Sequence, residues 1–184
     1  MIGGRRTAVA LSSLVLVGSS WVAAPAGQAD EGRHRDRDTG VILCTGPSES
    51  AYDPPLTLEA RATRVHTEAR YTCSVGPGRI VPATGTLDGV SPSASCNGLT
   101  NPRITETVRY ADGKQSLIVY DTGTTVRTVG VLDVHLSGRV TEGRGKGQSA
   151  QRNVLLALPR ELPTECLSSG LPGNSGQAQL EVRP

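Results

Sequence analysis

Few residues in this 184-residue chain could do chemistry. Ser175 stands in the string Gly173-Asn174-Ser175-Gly176. Backbone N–H groups beside such a serine could stabilise an oxyanion, provided a histidine supplied the base. His34 lies in a charge-dense stretch, while His66 and His135 fall at outward positions of alternating runs, where a solvated histidine is the ordinary outcome. A catalytic pair would need their two strands side by side, with a carboxylate such as Asp133 or Glu68 orienting one ring. Residues 142–149 are glycine-rich and could suggest an anion cradle, but no GKS/T ending or helix follows. Asp36 and Asp38 are too short a pair for a calcium loop and lack a distal bidentate glutamate. None of the four cysteines, Cys44, Cys73, Cys96 and Cys166, has the spacing of a zinc ligand pair.

The Ser175 string resembles the segment around the nucleophile of trypsin-like serine proteases. Eight residues follow Gly176, too few to complete a second barrel around that serine. Neither His66 nor His135 lies in the Ala-Ala-His-Cys context of that family. A turn before the last strand is the favoured reading of the string. We therefore expect no catalytic, cofactor-binding or metal-binding residue, and no cofactor.

The elements that must position these side chains begin with an address. Arg5 and Arg6 precede an apolar run over residues 8–17, and small residues follow to Ala29. That order is the order of a secretory signal peptide. Cleavage is expected before Asp30, with a cut after Ala26 as the second choice. The apolar run is well short of the roughly 20 residues that span a bilayer, so the mature protein is expected to have no membrane span. Removing residues 1–29 leaves 155 of the 184 residues, with 17 basic and 17 acidic side chains. A formally neutral chain carries no electrostatic footprint for nucleic acid. It also keeps only four aromatics, Tyr52, Tyr71, Tyr110 and Tyr120, too few for a base-stacking platform.

Four cysteines beyond an export signal imply two disulfides in an oxidising compartment. Of the three pairings left open, Cys44–Cys73 with Cys96–Cys166 is favoured. With no Phe, the core rests on small aliphatic residues, so cross-links become a sizeable share of the net stability of about 5–15 kcal/mol.

Residues 30–39 are dense in charge and are expected to form a disordered tail. A single β domain is expected over 40–184. Leu56, Leu58, Ala60 and Ala62 alternate with polar residues as one wet-faced strand. Parity then flips to Val65, Thr67, Ala69, Tyr71 and Cys73, which places a bulge near 62–65. A weaker strand covers 79–87, and 91–102 reads as a loop holding Cys96. Ile104, Val108 and Tyr110 lead into Asp112-Gly113, the signature of a tight hairpin. Further strands cover 116–120, 124–129, 131–140 and 154–158, with Ala178, Leu180 and Val182 in a last one. Many short strands with Gly/Pro turns point to an all-β, antiparallel β-sandwich (Ig-like or related) or a partly open barrel.

The order Cys44-Thr45-Gly46, Tyr52 and Pro55 before a strand, Ser95-Cys96, and the hairpin over Tyr110–Ser116 resembles a group of small secreted four-cysteine β-rich actinobacterial proteins of streptomycete type. The late pattern Gly138, Leu155, Cys166, Gly170 and Val182 matches as well. The resemblance implies export and a disulfide-bonded β fold, and it carries no activity with it.

The expected function is that of a secreted non-catalytic β module with a binding or structural role. Its partner would be an extracellular protein or a cell-wall component, met through loops on a rigid scaffold. Asp112 and Gly113 in one turn, Arg144 and Lys146 in the glycine loop, and the 91–102 loop are the candidate contacts. A secreted protease inhibitor is the second reading, because residues 65–78 resemble a stretch of the streptomycete subtilisin inhibitors. A hydrolase built on Ser175, His66 or His135 is the third.

Overall fold

The computed structural model describes residues 40–100, 102–128, 131–157 and 164–184. The expected signal peptide and charged tail lie outside the described residues. Nine strands are present among them: β1 (Ile42–Leu56), β2 (Arg61–Ser74), β3 (Ile80–Ser95), β4 (Gly98–Thr100), β5 (Arg103–Tyr110), β6 (Gln115–Thr128), β7 (Val131–Gly143), β8 (Ser149–Ala157) and β9 (Leu171–Arg183). One short helix, α1 (Thr164–Leu167), precedes β9.

Each long strand pairs antiparallel with the next, and β9 returns to β1 along a register running from Ile42↔Val182 to Leu56↔Leu171. Together with the β2–β3 pairing this closes an eight-stranded barrel, with β4 attached outside it to β3. The all-β expectation holds, but neither a sandwich nor a partly open barrel forms. The reason is strand length. β3 runs for 16 residues and β6 for 14, well beyond the usual strand. Both read as shorter pieces in the sequence because register shifts interrupt their alternation, as at Tyr120/Thr122 between β6 and β7. Closure removes the free edges that a sandwich leaves.

Two local expectations are corrected. Leu58 and Ala60 are exposed because 57–60 is the β1–β2 turn rather than strand, and Ala62 is exposed on the outward side of β2. The register shift lies between Arg61 and Thr63, close to the expected bulge. Gly173 to Gly176 lie within β9, paired with β1, and do not form a turn before it. The inward set of β2 is as expected: Val65, Thr67, Ala69, Tyr71 and Cys73 are all buried.

Both disulfides take the favoured pairing, Cys44–Cys73 and Cys96–Cys166. The first ties directly opposed residues of β1 and β2. The second joins the β3–β4 turn to α1, two segments that no strand pairing connects.

No helix among the described residues is long and apolar enough to cross a membrane. The barrel's outer face carries Arg64, Glu68, Arg70 and Asp88, all exposed.

Candidate functional site

With no Phe to fill it, the barrel interior uses tyrosine for bulk. All four tyrosines point inward and are buried. A buried phenol needs a partner for its hydroxyl, so polar side chains follow the tyrosines into the core. Tyr71 donates to Glu106 Oε1 at 2.9 Å and Tyr120 donates to Glu106 Oε2 at 2.6 Å. Arg152 Nε donates to the Tyr71 hydroxyl at 3.0 Å, and its Nη2 donates to Ser48 Oγ at 3.2 Å. Glu106 is 0% and Arg152 2% exposed, so each charge depends on the other and on these hydroxyls. Burial, followed by the Glu106 charge, pushes both phenols well above their ordinary range.

The strand pattern names Ile104, Val108 and Tyr110 as inward and leaves Glu106 unexplained, although it shares their parity. Arg152 likewise shares the parity of Ala150 and Val154. A charged residue at an inward position of an alternating strand is the signal that finds both. Two cavities of about 30 Å3 remain inside, one touching Arg152, Thr67 and Tyr52, the other reaching Leu171 and Asn174 at the barrel end. Each has room for about two waters and none for an organic ligand.

Two of the three expected contact segments, the Asp112-Gly113 turn and the glycine loop, meet at the opposite end, while 91–102 lies beside Leu171 and Asn174. Arg144 lies with its guanidinium 4.4 Å from the Tyr110 ring centroid, and its Nη2 donates to Asp112 Oδ2 at 2.5 Å. Arg79 donates to the same oxygen at 2.7 Å. The Arg144 hydrogen bond leads in holding the Asp112 carboxyl below the usual carboxylate range. Ser116 Oγ donates to the Arg144 carbonyl at 2.8 Å. Arg144 therefore closes the barrel and presents nothing to a partner; its side chain is 1% exposed. Gly113 takes a positive φ of 83°, as the tight turn requires, and Lys146 stays exposed at its loop tip. The expected 91–102 loop is mostly strand: β3 continues to Ser95, and β4 pairs back on it.

His66, His135 and Ser175 do not converge. His66 is on β2 and His135 on β7, four strands away in either direction around the barrel. Ser175 is exposed on β9, opposite Glu49 of β1. His66 Nδ1 donates to Asp88 Oδ1 at 2.6 Å, and that hydrogen bond leads in raising its pKa above the ordinary value. Asp133 does meet His135, with Nε2 2.7 Å from Oδ2, while Nδ1 lies 2.8 Å from Asn153 Oδ1. Both ring nitrogens are thus engaged, one by Asp133 and one by Asn153.

Among the described residues, two depressions mark the outer surface. One, of about 400 Å3, is lined by Arg64, His66, Asp88 and Val90. The other, of about 260 Å3, lies across β1, β9, β8 and β7 and is lined by Thr45, Gln179, Asn153, Gln177, Leu155 and Asp133. No group of three or more His, Cys, Asp or Glu placed to hold a metal ion occurs among the described residues. No protein-family model matches the chain, and no curated protein and no solved structure proved similar to it.

Proposed function

We propose that the chain is an exported, non-catalytic barrel that binds an extracellular partner through its outer faces. The observation that carries this reading is the separation of function-bearing groups. The interior among the described residues leaves only small cavities, and the Glu106 and Arg152 charges are spent on one another. The groups able to do acid–base or nucleophilic work stand on separate outer faces without a shared centre. The two disulfides fit an oxidising, extracellular setting, and the residue order over 5–29 fits an export signal.

Expression of the full chain in a secreting bacterial host tests both halves. The expected product in the medium begins at Asp30, carries both disulfides and takes no fluorophosphonate label at Ser175. Retention of the uncleaved chain in the cell would contradict export. Hydrolytic turnover lost on His66→Ala or His135→Ala would contradict the absence of catalysis, and stoichiometric inhibition of subtilisin would move the reading to an inhibitor.

A further inference from the structure

The outer face formed by β1, β9, β8 and β7 differs in chemistry from the rest of the barrel. Two neighbouring cross-strand rows run across its middle, flanked by Glu49 on one side and Glu181 on the other. The first runs Thr45, Gln179, Asn153, His135; the second runs Pro47, Gln177, Leu155, Asp133. Neither row contains an Arg, Lys or Glu. On the opposite side the corresponding rows of β2 and β3 hold Arg64, His66, Glu68, Arg70 and Asp88. Asn153, Gln177 and Gln179 are three side-chain amides on two adjacent strands, each with two donor hydrogens and an acceptor oxygen.

Asp133 supplies the second observation. It sits between Leu155 and Val126 in register, both half exposed, and its own side chain is 28% exposed. One carboxylate oxygen meets His135; the other, Oδ1, is buried and has no hydrogen-bond partner in the structure. A buried carboxylate oxygen left unpaired is costly, and a ligand hydroxyl that reached it past the half-exposed Leu155 and Val126 side chains would relieve it. The depression these residues line, about 260 Å3, is slightly below the roughly 300–1,000 Å3 of small-molecule sites and suits one ring-sized unit of a longer chain.

We propose that this face binds a neutral, polyhydroxylated chain, an oligosaccharide, with one sugar unit seated between the amides and Asp133 Oδ1. Vicinal hydroxyls both donate and accept, which matches side-chain amides. Leu155 offers an apolar surface to the C–H face of the ring. An ionic partner would find no charge on the two rows beyond Asp133, whose Oδ2 already meets His135. With no aromatic residue to stack on, binding is expected to be weak, on the order of 1 mM per site. Repeated units on an insoluble polymer would raise its effective strength.

The inference rests on the outer-face reading above, and its test is separate. Titration of 15N-labelled mature protein (residues 30–184) with cellotetraose and with tetra-N-acetylchitotetraose should move the amide resonances of Thr45, Asn153, Gln177 and Gln179. Resonances on β2 and β3 should stay still. Asp133→Asn and Gln179→Ala should each weaken binding about tenfold, since each removes a hydrogen bond at a charged or doubly bonded site. Both positions face outward, and an unchanged spectrum elsewhere verifies the fold. Shifts confined to the His66 face, or none with either sugar, would overturn the proposal. So would shifts at these four residues seen only with a lysine-rich hexapeptide, which would assign the face to a cationic peptide. Failure with sugars leaves the export and turnover measurements untouched.

Discussion

Arg152 and Glu106 stand 3.7 Å apart inside the closed barrel, both almost wholly shielded from solvent. The pair follows from the way the core is filled. Tyrosines replace the missing phenylalanines, their hydroxyls need acceptors, Glu106 accepts from two of them, and its charge needs Arg152. Removing either partner leaves a buried charge uncompensated. Arg152→Met should therefore lower unfolding free energy by about 3–5 kcal/mol. Adding Glu106→Gln to it should recover part of the loss, with a coupling of about 0.5–3 kcal/mol in a double-mutant cycle followed by denaturant unfolding. Strict additivity would mean that the two residues do not sense each other.

Gly85 faces the same cluster. A Cβ built there would lie 2.6 Å from Tyr71 Cε2 and 2.7 Å from Glu106 Oε1, closer than side chains approach. Gly85→Ala is expected to cost about 1–3 kcal/mol through overpacking and to displace the Tyr71 hydroxyl. Gly40→Ala, where nothing lies near the new carbon, is the matched control and should leave the melting temperature unchanged.

The two disulfides close loops of unequal length, 29 and 70 residues apart in sequence. Chain entropy assigns about 3.5 kcal/mol to the shorter and about 4.5 kcal/mol to the longer. Cys96→Ala/Cys166→Ala should accordingly lower the melting temperature at least as far as Cys44→Ala/Cys73→Ala. An equal melt for oxidised and fully reduced wild-type protein would remove cross-linking from the account of stability.

The hydrogen bond from His66 to Asp88, aided by the Asp88 and Glu68 charges, raises the histidine pKa above 6.5. A raised folded-state pKa means that the stabilisation is fully present below the unfolded value of 6.5. It is lost as pH rises through the folded value. The side chain is 49% exposed, so the effect on stability is small and screened by salt. NMR titration of the ring should place its midpoint above 6.5, and Asp88→Asn should bring it back toward that value. An unshifted midpoint in the wild type would break the assignment.

Much of this architecture was legible in residue order. Alternation in residues 65–73 marked the inward face of β2, and Asp112-Gly113 marked the β5–β6 turn, because both signals are local. Closure was not legible, since pairing β9 with β1 joins residues such as Ile42 and Val182 that share no local pattern. Strand length was lost wherever a register shift broke the alternation, as beside Tyr120. The core charges were hidden for a different reason. Polarity alone reads Glu106 and Arg152 as solvent-facing, and only their parity with Val108 and Val154 places them inside. Arg144 misled in the same way: in a glycine-rich loop it reads as a contact residue, yet it packs under Tyr110 and seals one barrel end.

The central claim is that recognition lies on the outer face of β9 and β8, away from the sealed interior and the loop end. Site-specific photo-crosslinking in secreting cells tests it most directly, with a photoreactive residue in place of Gln179, Arg64 or Lys146 in three separate proteins. The account predicts adducts with envelope material from the Gln179 position and none from the other two. Adducts formed only at Lys146 or Arg64 would contradict it.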